Sequence, residues 1–162
     1  MRGRSQSQES DYPAAAHSLG WRELPVFLYA WFGLLRVIFW LRWRNLAWVC
    51  RRLQRRSGAS PPSMHPPLTF LQRLSCVVNS AAAYAPFPTT CLARSLFLWG
   101  WLRQLDVPAN LRLGVRKQAG TLLAHAWVEY AGVVLNDDAA HVAQYTPFDP
   151  AEADSLPDRG WF

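Results

Sequence analysis

Apolar residues recur at helical spacing through the first two thirds of the chain, and short strand-like runs take over after it. Leu24, Phe27, Leu28, Trp31, Leu34, Leu35, Ile38 and Leu41 return every three or four positions. That spacing predicts a helix, or a helix pair continuing through Leu53. Leu68, Leu71, Leu74, Val77 and Val78 set out a second helix over residues 68–84, stopped by Pro86 and Pro88. Leu92, Ser95, Leu96, Trp99, Leu102 and Leu105 set out a third, buried along one side and broken by Asp106-Val107-Pro108. Strands are expected over residues 111–115, 122–129 and 133–136, the first two joined by a polar turn that contains Gly120. Helices followed by a small antiparallel sheet make an α+β fold.

The connections divide the chain. Residues 1–18, rich in Ser, Gln and Arg without apolar periodicity, read as a disordered tail. Residues 19–56 form a basic, Trp-rich helical arm, and residues 57–67, with Gly58, Pro61 and Pro62, form a linker. The core covers residues 68–150 and a short tail covers 151–162. At 162 residues one compact domain with a helical appendage fits, and a second catalytic domain does not.

Charge narrows the partners without choosing one. A net charge of +6 with nine Trp suits an acidic peptide, an anionic membrane surface or nucleic acid. In the arm, Arg44, Arg51 and Arg55 share a helix face, with Arg52 and Arg56 close by. Such a face is ordinarily solvated; its functional reading is a docking surface for an acidic peptide, a partner protein or anionic lipid. No nucleic-acid-binding module surrounds these residues, so nucleic acid is not an expected partner. Residues 24–41 carry only Arg36 as a charge and sit at the short limit for spanning a bilayer. Pro25, Gly33 and Arg36 favour a buried or interfacial helix, and Trp31, Trp40, Trp43 and Trp48 suit the plane of a membrane interface. The first ten residues carry no signal-peptide pattern. Three widely spaced cysteines, Cys50, Cys76 and Cys91, fit reduced thiols in the cytoplasm. Cys50 and Cys76 read as small core residues. No Cys-x-x-Cys pair or His cluster suggests a metal, no Gly-x-x-x-x-Gly-Lys segment suggests ATP, and no cofactor is expected.

Cys91 changes that picture. A hydroxyl at Thr89 or Thr90 can cap the third helix, which puts Cys91 in its first turn. There, unpaired N–H groups and the positive dipole end favour thiolate and leave donors for an oxyanion. A cysteine at a helix start, or a lone histidine on a strand, is more often structural than catalytic. Here His125 lies on the second strand, and Asn136 and Asp137 follow just beyond a turn. Two registers decide the third member. If Ala131-Gly132 alone forms the turn, Tyr130 faces Val133 and His125 pairs with Asp138. If Tyr130-Ala131-Gly132 forms a three-residue loop with Gly132 left-handed, Glu129 faces Val133 and His125 faces Asp137. Glycine in the third position favours the second. A carboxylate there fixes the imidazole tautomer that leaves its other nitrogen for the thiol. His17, His65 and His141 lie in polar or loop contexts with no comparable arrangement.

Three segments carry a resemblance: Cys91-Leu-Ala-Arg-Ser-Leu96; Ala124-His-Ala-Trp-Val-Glu129; and Gly132-Val-Val-Leu-Asn-Asp137 with Tyr145-Thr-Pro-Phe148. Together they resemble the lasso peptide biosynthesis B proteins, transglutaminase-like leader peptidases typified by the microcin J processing protein, in their stand-alone form. The resemblance implies a papain-like, transglutaminase-like fold and a cysteine peptidase that removes the leader of a ribosomally made precursor. It carries over Cys91 as nucleophile, His125 as base and Asp137 as orienting carboxylate, with Arg94, Trp127 and Glu129 as candidate substrate contacts. It also implies three partners: the precursor leader peptide, a separate leader-recognition protein, and an ATP-dependent lasso cyclase. Two alternatives stand beside it, acyl transfer to an amine by the same three residues and a non-catalytic adaptor whose arm tethers a biosynthetic complex to membrane or partner.

Overall fold

The computed structural model describes residues 24–54, 66–86 and 88–148. The expected N-terminal tail, most of the linker and the C-terminal tail lie outside them. Five helices, α1 (Leu24–Trp43), α2 (Leu46–Gln54), α3 (Leu68–Ala83), α4 (Cys91–Gln104) and α5 (Ala139–Val142), pack with four strands. The strands are β1 (Asn110–Gln118), β2 (Thr121–Tyr130), β3 (Val133–Val134) and β4 (Thr146–Phe148), antiparallel in the order β3-β2-β1-β4. The fold is α+β, with helices layered on one small sheet.

The centre of the molecule is α4. The spacing of its apolar residues predicts burial along one side; instead Leu92, Ala93, Leu102 and every residue from Ser95 to Gly100 are buried. The physical reason is the arm. Ala30, Leu34, Val37 and Leu41 of α1 and Val49 and Leu53 of α2 enter the same core as α3, α4 and the sheet. A helix enclosed on several sides is apolar nearly all round. Two glycines permit the close approach: a Cβ on Gly33 would sit 2.0 Å from the Phe97 ring, and one on Gly100 would sit 2.8 Å from Leu53 Cδ2. For Gly33→Ala, overpacking of about 1–3 kcal/mol opposes a helix-propensity gain of about 1 kcal/mol. We expect a net loss of up to about 2 kcal/mol, read as a lower midpoint in urea denaturation.

Sequence chemistry explains the ends of α4. Thr90 Oγ1 accepts the Ala93 N–H at 3.2 Å. At the other end Asp106 takes φ 55°. Its N–H bonds Arg103 O at 3.2 Å, and the Val107 N–H bonds Leu102 O at 3.0 Å. These two bonds with buried Val107 against Leu102 form a Schellman cap, achieved without glycine. Trp99 Nε1 donates to Ala109 O at 3.1 Å and anchors the entry to β1.

Both hairpins use two-residue turns. Ala119-Gly120 and Ala131-Gly132 have positive φ at each position (47° and 82°; 48° and 79°), and the flanking pairs are Gln118↔Thr121 and Tyr130↔Val133. Left-handed backbone at both central residues is the type I′ pattern whose twist matches paired strands. The three-residue loop expected from Gly132 is therefore corrected: Ala131 also takes the left-handed conformation, and Tyr130 stays in the ladder. β1 and β2 run further than expected because the first turn needs only two residues. Pro147 masks β4 in the sequence; proline is tolerated there because β4 is an edge strand. Cys76 is exposed, not a core residue. In α3 the inward line is Leu71, Leu74, Val77, Val78 and Ala81, and Cys76 falls on the opposite side. Cys50 is half-buried and packs against the core.

Candidate active site

Residues of β2 alternate between two faces. Ala126, Val128 and Tyr130 join the core, while His125, Trp127 and Glu129 point to the other side. Gly114, paired with His125, leaves room over β1, where a Cβ would meet Trp127 and Tyr145 at 2.8–2.9 Å.

β3 covers only the end of β2, with Glu129↔Val134 and Tyr130↔Val133. Beyond it, the β2 edge is completed piece by piece. Val128 O accepts the Leu135 N–H at 2.9 Å, and the Val128 N–H donates to Asn136 Oδ1 at 2.8 Å. Ala126 O accepts from Ser95 Oγ at 2.8 Å, and that hydroxyl accepts from Asn136 Nδ2 at 2.8 Å. The next edge donor along β2, the Ala126 N–H, hydrogen-bonds the Cys91 sulfur. Buried Ser95 and half-buried Asn136 thus weld the start of α4 to the sheet. Removing one partner of a buried hydrogen bond costs about 1–3 kcal/mol, so Ser95→Ala is expected to lower stability by that amount in urea denaturation.

Where the chain leaves the ladder at Asn136, Asp137 turns towards His125. His125 Nε2 and Asp137 Oδ2 are hydrogen-bonded. Asp137 Oδ1 accepts the Asp138 N–H at 2.7 Å and faces His141 Nδ1 at 3.2 Å. Asp138, the alternative partner in the sequence reading, instead caps α5 by accepting the Ala140 N–H at 2.6 Å. His125 thus meets Asp137 although the register is the one that pairs 125 with 138; the break in β3, not the loop length, makes the contact. With Nε2 held by the carboxylate, Nδ1 is the ring nitrogen left for the thiol, and Cys91 is hydrogen-bonded to His125.

The three groups set one another's ionisation. Burial alone pushes the Cys91 thiol up; the His125 hydrogen bond and charge, the Ala126 N–H and the Arg94 guanidinium outweigh it and hold the thiol below its ordinary range. Burial likewise opposes the charged form of His125, yet the hydrogen bonds to Asp137 and Cys91 and their charges push it up to about 9. Asp137 is held below the ordinary carboxylate range: against burial, the His125 hydrogen bond, the Asp138 N–H, the His125 charge and His141 favour its anion. These shifts all favour a thiolate–imidazolium pair backed by a carboxylate, the arrangement that nucleophilic attack by sulfur needs.

Of the candidate substrate contacts, Arg94 lies one turn along α4 and acts on the thiol through its charge. Trp127 is only 2% exposed. Its Nε1 donates to Glu129 Oε1 at 2.7 Å, and Arg112 Nε pairs with Glu129 Oε2 at 3.0 Å. The structure therefore engages Trp127 and Glu129 with each other, Trp127 lying nearly parallel to the His125 ring at 6.1 Å between centroids. His141, which lies in a polar or loop segment with no comparable arrangement around it, is a further neighbour of the site. Its ring lies 5.0 Å from His125 and 5.4 Å from Tyr145, centroid to centroid. Asp138-Ala-Ala-His141 carries the signal, an N-cap aspartate that starts a short helix and places His141 one turn from Asp137. His125, Asp137 and His141 offer ligand atoms within 4.8 Å of one another, the group among the described residues that could hold a metal ion. A metal there would have to replace the hydrogen bonds that Asp137 now makes to both rings.

No curated protein and no solved structure gives a match to this chain. Comparison with protein families matches residues 33–149 to the transglutaminase-like superfamily, a stretch that takes in most of α1 and runs through β4. That superfamily includes cysteine peptidases and acyltransferases, and this chain belongs to it.

Proposed function

We propose that this chain is a cysteine peptidase that removes the leader peptide from a ribosomally synthesised lasso peptide precursor before the macrolactam forms. The observation that carries the chemistry is Cys91 in the first turn of α4, bonded to His125, whose other nitrogen is bonded to Asp137. The resemblance of the segments around Cys91, His125 and Asp137 to the lasso peptide B proteins supports the choice of substrate. In this reading the Cys91 thiolate attacks the carbonyl carbon of the leader–core bond. The developing oxyanion lies towards the first N–H groups of α4, which have no carbonyl within the helix to bond. His125 gives its proton to the leaving amine as the C–N bond breaks, leaving a thioester on Cys91. His125 then takes a proton from water, the hydroxide attacks the thioester, and the leader departs as a carboxylate with the thiolate restored. Asp137 holds the imidazole in register and stabilises its cation throughout.

The precursor is presented by a separate leader-recognition protein, and the released core passes to an ATP-dependent lasso cyclase in a reducing, cytoplasmic setting. The deciding experiment incubates the purified chain with its precursor, with and without the recognition protein, and reads products by mass. A free leader ending in a carboxylate supports hydrolysis. A leader joined to an amine identifies acyl transfer, which the same thioester serves and which superfamily membership accommodates. An intact precursor under both conditions overturns the proposal.

A further inference from the structure

α1 is apolar on two opposite sides. Its inner line, Ala30, Gly33, Leu34, Val37 and Leu41, is buried in the core. Its outer line is bare: Phe32 is 61% exposed, Phe39 60% and Trp43 72%, with Leu28 at 43%. Positions 28, 32, 39 and 43 fall on one helix face, spaced by four, seven and four residues. A core helix of a water-exposed face is ordinarily polar on that side. This one is also long and apolar enough to cross a membrane, alone among the described helices.

The charge beside this stripe indicates what covers it. Between Glu23 and Asp106 the sequence holds ten arginines and no acidic residue. Arg42 and Arg44 flank Trp43, and Arg51 and Arg52 follow on α2; all four are exposed. A second copy of the chain would set this unrelieved positive surface against itself. Aromatic side chains at the level of lipid headgroups with arginines beside them fit a membrane interface carrying negative charge.

We propose that the outer face of α1 lies flat on an anionic lipid bilayer, Phe32, Phe39 and Trp43 entering the headgroup boundary while Arg42, Arg44, Arg51 and Arg52 bind lipid phosphates. The helix does not span, because its inner face and the Gly33–Phe97 contact belong to the core. The surface is separate from Cys91 and its partners, so its test reads binding and not cleavage.

The full chain is mixed with vesicles of phosphatidylcholine alone or with about a quarter phosphatidylglycerol, and bound protein is measured by flotation. Binding to the anionic vesicles is expected, weakened by high salt. Two variants keep the stripe's helix-forming capacity: F32Q/F39Q/W43Q and R42Q/R44Q/R51Q/R52Q. Both are expected to retain the wild-type circular dichroism spectrum. The aromatic variant should lose about 100-fold in vesicle affinity and the arginine variant at least ~100-fold. Binding that is absent, equal on neutral vesicles, or unchanged in either folded variant overturns the proposal. So does bound protein that resists extraction by alkaline carbonate, which would mean a spanning helix. Stripe substitutions that instead dissolve a stable dimer, with vesicle binding intact, would assign the face to self-association.

Discussion

Cys91→Ala is expected to reduce leader cleavage by ~10⁴-fold or more while leaving the fold intact. The magnitude follows from where the sulfur sits. It is the atom on which His125, Ala126 and Arg94 converge, and no other described cysteine is placed to replace it: Cys50 packs against the core and Cys76 lies exposed on α3. The fold should survive because Cys91 is only half-buried and the weld between α4 and β2 runs through Ser95 and Asn136. Losing the sulfur leaves the buried Ala126 N–H without that partner, so the stability change should be about 1–3 kcal/mol. Single-turnover assays by mass spectrometry give the first number and urea denaturation the second. Cleavage at the wild-type rate by the alanine variant would remove the thiol mechanism altogether.

Asp137→Asn is expected to be comparably damaging, about 10⁴-fold in kcat, and to move the alkaline limb of the pH profile towards acid. In the wild-type chain the imidazolium persists until the pH rises through about 9. Activity should therefore hold across neutrality and fall above that point, with the acid limb set by protonation of the Cys91 thiolate and Asp137. An asparagine removes the negative charge and the hydrogen bond that raise His125, so its proton leaves at lower pH and the ion pair shortens its range. The rate at which an alkylating reagent modifies Cys91 across pH reads this directly. The same shift links stability to pH. With His125 raised from 6.5 to about 9, its stabilising contribution is fully present below 6.5 and is lost as pH rises through 9. An alkaline limb that stayed in place would mean that Asp137 does not control the histidine.

Local pattern makes some of this legible in sequence. The apolar spacing of α1 to α4, the cap at Thr90 and the stop at Asp106-Val107-Pro108 all point to the elements that form. An α+β core of helices on a small antiparallel sheet can be read from them. What the sequence conceals is set by contacts between distant elements. α4 looks one-sided until the arm closes over it. Cys76 looks like a core residue because its apolar neighbours do not reveal which side of α3 is covered. The pairing of His125 with Asp137 follows for a reason other than the one spacing suggests. Gly132 implies a three-residue loop, but Ala131 accepts a left-handed conformation, and only the early end of β3 at Val134 lets Asp137 swing to the ring. Ser95 reads as a small residue on a buried face, and its bonds to Ala126 and Asn136, 31 and 41 residues away, are invisible to any local pattern. His141 could have been found from the Asp138 cap, whereas Pro147 hides β4.

The completion of the β2 edge has one more consequence. The N–H that steadies the Cys91 sulfur comes from the same strand edge that Ser95 and Asn136 lock to α4, so a reactive thiol exists only once helix and sheet have docked. A newly made or partly unravelled chain carries an ordinary, sluggish cysteine. Reactivity is in that sense a certificate of correct assembly.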